Sequence, residues 1–153
     1  MKNVKEVMIK YPYYIKIFDK ELVKEKYDSF FLKEENVFFY PEHIKEELQY
    51  GDVELDPQDD ETAILHMQKS TAQIICKVLN GLNILFELKN IRQDVIFGKY
   101  PFEISKEFED IIKTEIFRTL TLDEILDKIN VVGIKSLSKE ENDFLLSQTL
   151  DIS

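Results

Sequence analysis

Apolar residues recur at intervals of three and four over much of this chain, the period of one face of a helix. The clearest run lies in the middle. Ile64, Thr71, Ile75, Val78, Leu82, Leu85 and Leu88 form one stripe, widened by Ile74, Leu79 and Phe86. The pattern predicts a long central helix from Glu61 to about Asn90, with Asp59 or Asp60 as its cap. So wide an apolar face suits a helix at the centre of a bundle, and Gly81 within it permits a kink or a close contact.

The N-terminal third shows the same period less cleanly. A short helix over Val4–Lys10 is stopped by Pro12. Tyr14, Ile15, Phe18, Leu22, Val23, Tyr27, Phe30 and Phe31 keep helical spacing, although Tyr13–Phe18 alone reads equally well as a strand. Val37–Tyr40 is a second β-prone run, closed by Pro41, and Pro41 suits the first turn of a short helix over Glu42–Tyr50. Beyond the central helix, Gly98-Lys99-Tyr100-Pro101 is a turn. Ser105 then opens an amphipathic helix carrying Phe108, Ile111, Ile112 and Ile116, to about Leu120. Two short helices follow, Leu122–Asn130 and Ser138–Ser147, joined by a turn at Gly133.

These elements predict a mainly α fold: a helical bundle around a long central helix, with a C-terminal helical hairpin. Any strand is expected only at Tyr13–Phe18 or Val37–Tyr40. A length of 153 residues fits one core without a metal or disulfide. The expected organisation is a helical domain over 1–120, interrupted by an acidic loop at 51–60, with a hairpin over 121–153 packed on it.

Charge sharpens the picture of that loop. The chain carries a net −10, and residues 51–62 alone hold six acids and no base. With Gly51 and Pro57 inside it, the stretch reads as a solvated loop. It fails as a calcium loop: counted from Asp52, position six is Pro57 instead of Gly, and position twelve is Ala63 instead of Glu. His43 and His66 are the only histidines, and although carboxylates such as Glu42, Glu46, Asp59 and Glu61 lie near them in sequence, no Glu-x-x-His or His-x-x-x-His spacing exists. Cys76, the single cysteine, lies in an apolar helical pattern and reads as a buried structural thiol. No metal and no cofactor are expected.

The remaining chemistry is thin. The four glycines are at least seventeen residues apart, so no Gly-rich phosphate loop can form, and no G-x-S-x-G elbow is present. No catalytic residue emerges, and an enzyme is the less favoured class. The C-terminal helix pair sets six acids against three lysines, which repels phosphate and argues against a nucleic-acid partner. No run approaches the length of a membrane span, and Met1–Lys10 lacks the apolar core of a signal peptide, so a cytoplasmic protein without membrane insertion is expected. A bias of 18 Lys over 2 Arg fits an AT-rich, bacterial-type coding sequence and needs no functional cause.

Aromatic residues are dense in the N-terminal third. Core packing explains most of them, and Tyr11, Tyr13, Tyr14, Phe38, Phe39 and Tyr40 are the candidate partner surface, since such side chains are enriched in interface cores. The expected function is a protein–protein interaction or regulatory module, with self-association open. The alternatives are a small enzyme or ligand-binding domain with an inter-helix pocket, and an acidic immunity or inhibitor protein.

One segment carries a resemblance. Leu122-Asp123-Glu124-Ile125-Leu126-Asp127-Lys128-Ile129-Asn130, followed by Gly133-Ile134-Lys135-Ser136-Leu137-Ser138-Lys139-Glu140-Glu141-Asn142-Asp143-Phe144-Leu145, resembles the two-helix tail found after the membrane region of some bacterial rhomboid-family proteases. Ser138 and Glu141 have the spacing of a capping box within it. The resemblance covers about 25 of 153 residues and contains nothing catalytic. It implies a helical hairpin with a docking or tail-folding role, and no protease activity without the membrane helices.

Overall fold

The computed structural model describes residues 9–18, 51–81 and 83–152. Its strands are β1 (Lys10–Ile17), β2 (Val53–Asp56), β3 (Asp59–Gln68) and β4 (Phe86–Asn90). Its helices are α1 (Lys69–Gly81), α2 (Arg92–Ile96), α3 (Lys106–Thr119), α4 (Leu122–Val132) and α5 (Lys139–Ile152), with a 3-10 turn at Ile134–Ser136. The strands form one sheet in the order β2-β3-β1-β4, and every neighbouring pair is antiparallel. β3 and β4 both run against β1, so they are parallel to each other, and α1 carries the chain from one to the other across β1.

The mainly α bundle is therefore corrected to an α/β fold: of the described residues 53% are helical and 25% lie in strands, too large a share for a bundle. The long central helix does not exist as one element. Glu61–Gln68 belongs to a strand, only Lys69–Gly81 is helix, and Phe86–Asn90 is a second strand. Strand is likewise not confined to Tyr13–Phe18. The helical pattern from Tyr14 onward opens in β1, and the rest of it, with Val37–Tyr40 and Glu42–Tyr50, lies outside the described residues.

The cause of the main correction is burial on both sides. Thr62, Ala63, Ile64, Leu65, His66 and Met67 are all buried. A strand covered on two faces has no reason to alternate apolar with polar, so its sequence loses the period of two that marks a strand. Ile64 then falls by chance into register with the true helical positions Thr71, Ile75 and Leu79, which are the buried face of α1. Leu85, assigned to the same stripe, is 71% exposed.

The acidic stretch is a hairpin, not a loop. β2 and β3 pair from Val53↔Leu65 to Asp56↔Asp59 around Pro57-Gln58. Its acids stabilise the turn: the Asp56 carboxylate accepts from the Gln58 N–H at 2.8 Å, and Asp59 accepts from the Glu61 N–H at 3.0 Å and the Thr62 hydroxyl at 2.8 Å. Lys16 of β1 reaches Asp59 at 3.2 Å. Those bonds from the Glu61 amide, Thr62 and Lys16 hold the Asp59 carboxyl below its ordinary range.

Two cores lie on opposite faces of this sheet. On the first, Ala72, Ile75 and Leu79 of α1 cover Tyr13, Ile15, Ile17, Ala63, Leu65 and Met67. On the second, Ile64 packs with Ile91, Val95, Phe108, Ile112 and Ile116, and this core extends to Ile125, Leu137 and the half-buried Phe144 and Leu145 of the C-terminal helices. The result is three layers, with α1 on one side of the sheet and the remaining helices on the other.

Candidate functional site

The second helical layer contains a half-open groove of about 590 Å³. Its floor is apolar, built from Val95, Ile96, Ile116, Phe117 and Leu120. Local sequence places each wall. Ser105 starts α3, its hydroxyl accepting from the Phe108 N–H at 3.2 Å and donating to Glu54 of β2 at 2.6 Å, which ties the helix to the sheet edge. Lys106, Asp110 and Lys113, one helical turn apart, then line the near rim with Thr114. Lys106 pairs with Asp110 at 3.0 Å and Lys113 with Glu109 at 3.2 Å, and these neighbours raise the Lys106 pKa, the Asp110 hydrogen bond most.

The far rim belongs to α4 and α5. Thr121 and Glu124 close a capping box on α4, and Arg92 grips the same Glu124 with Nε at 2.7 Å and Nη2 at 3.0 Å. Burial alone would raise the Glu124 pKa; the Arg92 bonds and charge, with Thr121, bring it below its ordinary value. Arg92 also donates to the Thr119 hydroxyl at 2.8 Å, so one guanidinium fixes the angle between α3 and α4. At the other end Lys128 donates to Glu141 at 2.7 Å, both side chains buried, while Glu141 accepts from the Ser138 N–H at 2.8 Å and its own N–H donates to the Ser138 hydroxyl at 3.1 Å. The Ser138–Glu141 spacing is thus a capping box whose carboxylate also anchors α4. Gly133, at φ +90°, makes the turn between them.

A second polar feature sits beneath α3. His66 of β3 is 2% exposed and, among the described residues, neither ring nitrogen has a hydrogen-bond partner. Its Nδ1 lies 3.8 Å from Asp52, which takes Lys10 at 3.2 Å. Burial pulls the His66 pKa down, with Lys10 adding to the effect and Asp52 and Glu115 opposing it. Tyr100 has a buried hydroxyl with no hydrogen-bond partner among the described residues, and burial pushes its pKa up to about 12.

The aromatic residues singled out in the sequence do not form one surface. Tyr11 and Tyr13 share the face under α1, where Tyr13 is core and the two rings meet edge to face at 6.5 Å. Tyr14 points to the opposite face and packs in the second core. Phe38, Phe39 and Tyr40 lie outside the described residues. Cys76 is half-buried on α1, its thiol pushed up by burial. Among the described residues no three His, Cys, Asp or Glu side chains cluster as metal ligands, and no helix is long and apolar enough to cross a membrane.

The sequence offers an inter-helix pocket only as an alternative and does not place it, but one signal for the groove exists. Lys128 falls between Ile125 and Ile129 on the buried stripe of α4. A lysine on an apolar face demands a buried partner. Comparison of the chain with protein-family models, with curated proteins and with solved structures finds no match.

Proposed function

We propose that this chain is a protein–protein interaction module that receives a segment of its partner in the groove between α3 and the C-terminal helices. The groove's make-up carries the reading: an apolar floor of five side chains under rims whose charges, Lys106, Asp110, Lys113 and Glu140 among them, alternate in sign. Such a site suits an amphipathic peptide segment, whose apolar side chains fill the floor while its polar flanks meet the rim. Exposed Val131, Val132 and Ile134 at the hairpin tip extend the apolar surface beyond the groove-bearing layer. The helix pair that resembles the rhomboid-protease tail forms the far wall, so the docking role which that resemblance implies belongs to the same proposal.

The test places a photo-crosslinking residue at Thr114, on the rim, and in a second variant at Gln73, exposed on α1 at the opposite face. In the native cell Thr114 should give one discrete protein adduct and Gln73 none. Phe117→Lys should abolish that adduct. Equal labelling from both positions would contradict the proposal.

A small-molecule site is the second reading, because about 590 Å³ lies within the usual range for ligand pockets, roughly 300–1,000 Å³. Native mass spectrometry of the purified chain separates the two, since a retained small mass lost on Phe117→Lys favours the ligand. The immunity or inhibitor reading draws less support. Asp52, Asp56 and Asp59 of the acidic stretch are engaged by Lys10, by the Gln58 amide, and by Lys16 and Thr62 of the same chain.

A further inference from the structure

The sheet face under α3 buries an imidazole that the groove does not use. Alternation along β3 and β1 puts Lys10, Pro12, Tyr14 and Lys16 on this face with Thr62, Ile64 and His66. His66 sits opposite Pro12, and its own backbone N–H is bound to the Asp52 carbonyl at 2.7 Å. The backbone at His66 is therefore held by strand pairing on both sides, while the ring can still turn about its side-chain bonds. Charged groups face it from three elements: Lys10 from β1, Asp52 from the start of β2, and Glu115 from α3. Glu115 is itself held by Arg118, whose Nε donates to it at 2.8 Å. A neutral ring is tolerated here as a satisfied shape with unsatisfied nitrogens. A protonated ring places a second cation beside Lys10, and one carboxylate, Asp52, would then have to serve both.

We propose that His66 is an acid-operated latch: the neutral ring lets α3 close on the sheet, and protonation of the ring loosens α3 from it. The Nδ1–Asp52 separation of 3.8 Å is too long for a hydrogen bond and short enough for an ion pair once the layer opens and the ring shifts. The folded state holds this proton less readily than the unfolded chain does, because burial lowers the folded pKa below the ordinary value of about 6.5. The closed state is then fully favoured above about pH 6.5 and loses ground as pH falls through the lowered folded value. Each pH unit within that window changes the opening equilibrium by up to about tenfold. Asp59 and Glu124, whose pKa values are lowered, do not titrate in this window. The latch is independent of what the groove binds.

Native-state hydrogen exchange on the full chain between pH 7.5 and 5.0, corrected for intrinsic exchange rates, tests it. The amides of Ile112 and Ile116 should show opening constants that rise below about pH 6.5, approaching tenfold per unit. Glu115→Gln removes an anion that favours the charged ring in the closed state, so the rise should begin at the same pH and continue to lower pH before it levels off. His66→Phe should flatten the profile, and His43→Gln should leave it unchanged. A flat wild-type profile would overturn the latch, as would a levelling-off unmoved by Glu115→Gln or a pH dependence lost in His43→Gln. If His66→Phe does not fold, the extension of the rise to lower pH in Glu115→Gln decides alone.

Discussion

The two faces of the sheet are built by different physics. Under α1 the contact residues are almost all apolar, from Ile15 and Leu65 in the sheet to Ile75 and Leu79 in the helix. Under α3 the sheet presents Lys10, Tyr14, Lys16, Thr62 and His66 around Pro12 and Ile64. The first face is held by area removed from water, which is indifferent to direction and nearly so to pH. The second has an apolar core of its own and adds directed contacts at Asp52, Asp59, Arg92–Glu124 and Lys128–Glu141. Such contacts fix angles between helices, and they fail abruptly when one partner is removed. A layer that carries a groove keeps its shape through such fixed angles.

This contrast can be broken most severely at the Lys128–Glu141 pair. Lys128→Ala leaves the buried Glu141 carboxylate facing an empty site and should cost about 3–5 kcal/mol in urea unfolding. Lys128→Met combined with Glu141→Leu should recover most of that loss, because an apolar pair of similar volume needs no partner. If the double variant is as unstable as Lys128→Ala, the pair acts through its geometry instead of its charge. On the first face Ile15→Ala, at a fully buried position, should cost about 2–5 kcal/mol, with the same loss at pH 5 and pH 7.5. A pH-dependent loss there would erase the distinction between the faces.

Smaller effects sharpen it. Gly51 stands at φ +90°, and a Cβ there would lie 2.6 Å from the Ile111 Cδ1 atom. Gly51→Ala should cost about 1–2 kcal/mol from the left-handed backbone, since the Ile111 methyl can swing away. Gly51→Ala with Ile111→Ala should recover little of it. Ser138→Ala, which removes half of the α5 capping box, should cost about 1 kcal/mol in the same unfolding assay.

The C-terminal half was far more legible than the centre. Ser105, Gly133 and Ser138 have local, chemically explicit roles, and the helices they bound stand where their spacing places them. There each helix buries one face, so the period of 3.6 survives in the sequence. At Thr62–Met67 both faces are buried and no period survives. The cue against a thirty-residue helix was Asn80-Gly81 followed by Asn83, turn-forming residues at the point where α1 ends and where Asn83 takes φ +56°. The groove is built across α2, α3, α4 and α5, a juxtaposition that no local pattern encodes, and only Lys128 on its apolar stripe marked it.

The central claim is that β3 is a strand with a different core on each side, and adjacent residues test it. Ile64 and Leu65 are both fully buried. Double-mutant cycles with conservative truncations should couple Leu65 to Ile75 of α1 and Ile64 to Ile112 of α3, each by about 0.5–3 kcal/mol. The crossed pairs, Leu65 with Ile112 and Ile64 with Ile75, should add to within about 0.5 kcal/mol. Strong coupling of both neighbours to the same helix would contradict the two-faced strand and with it the three-layered fold.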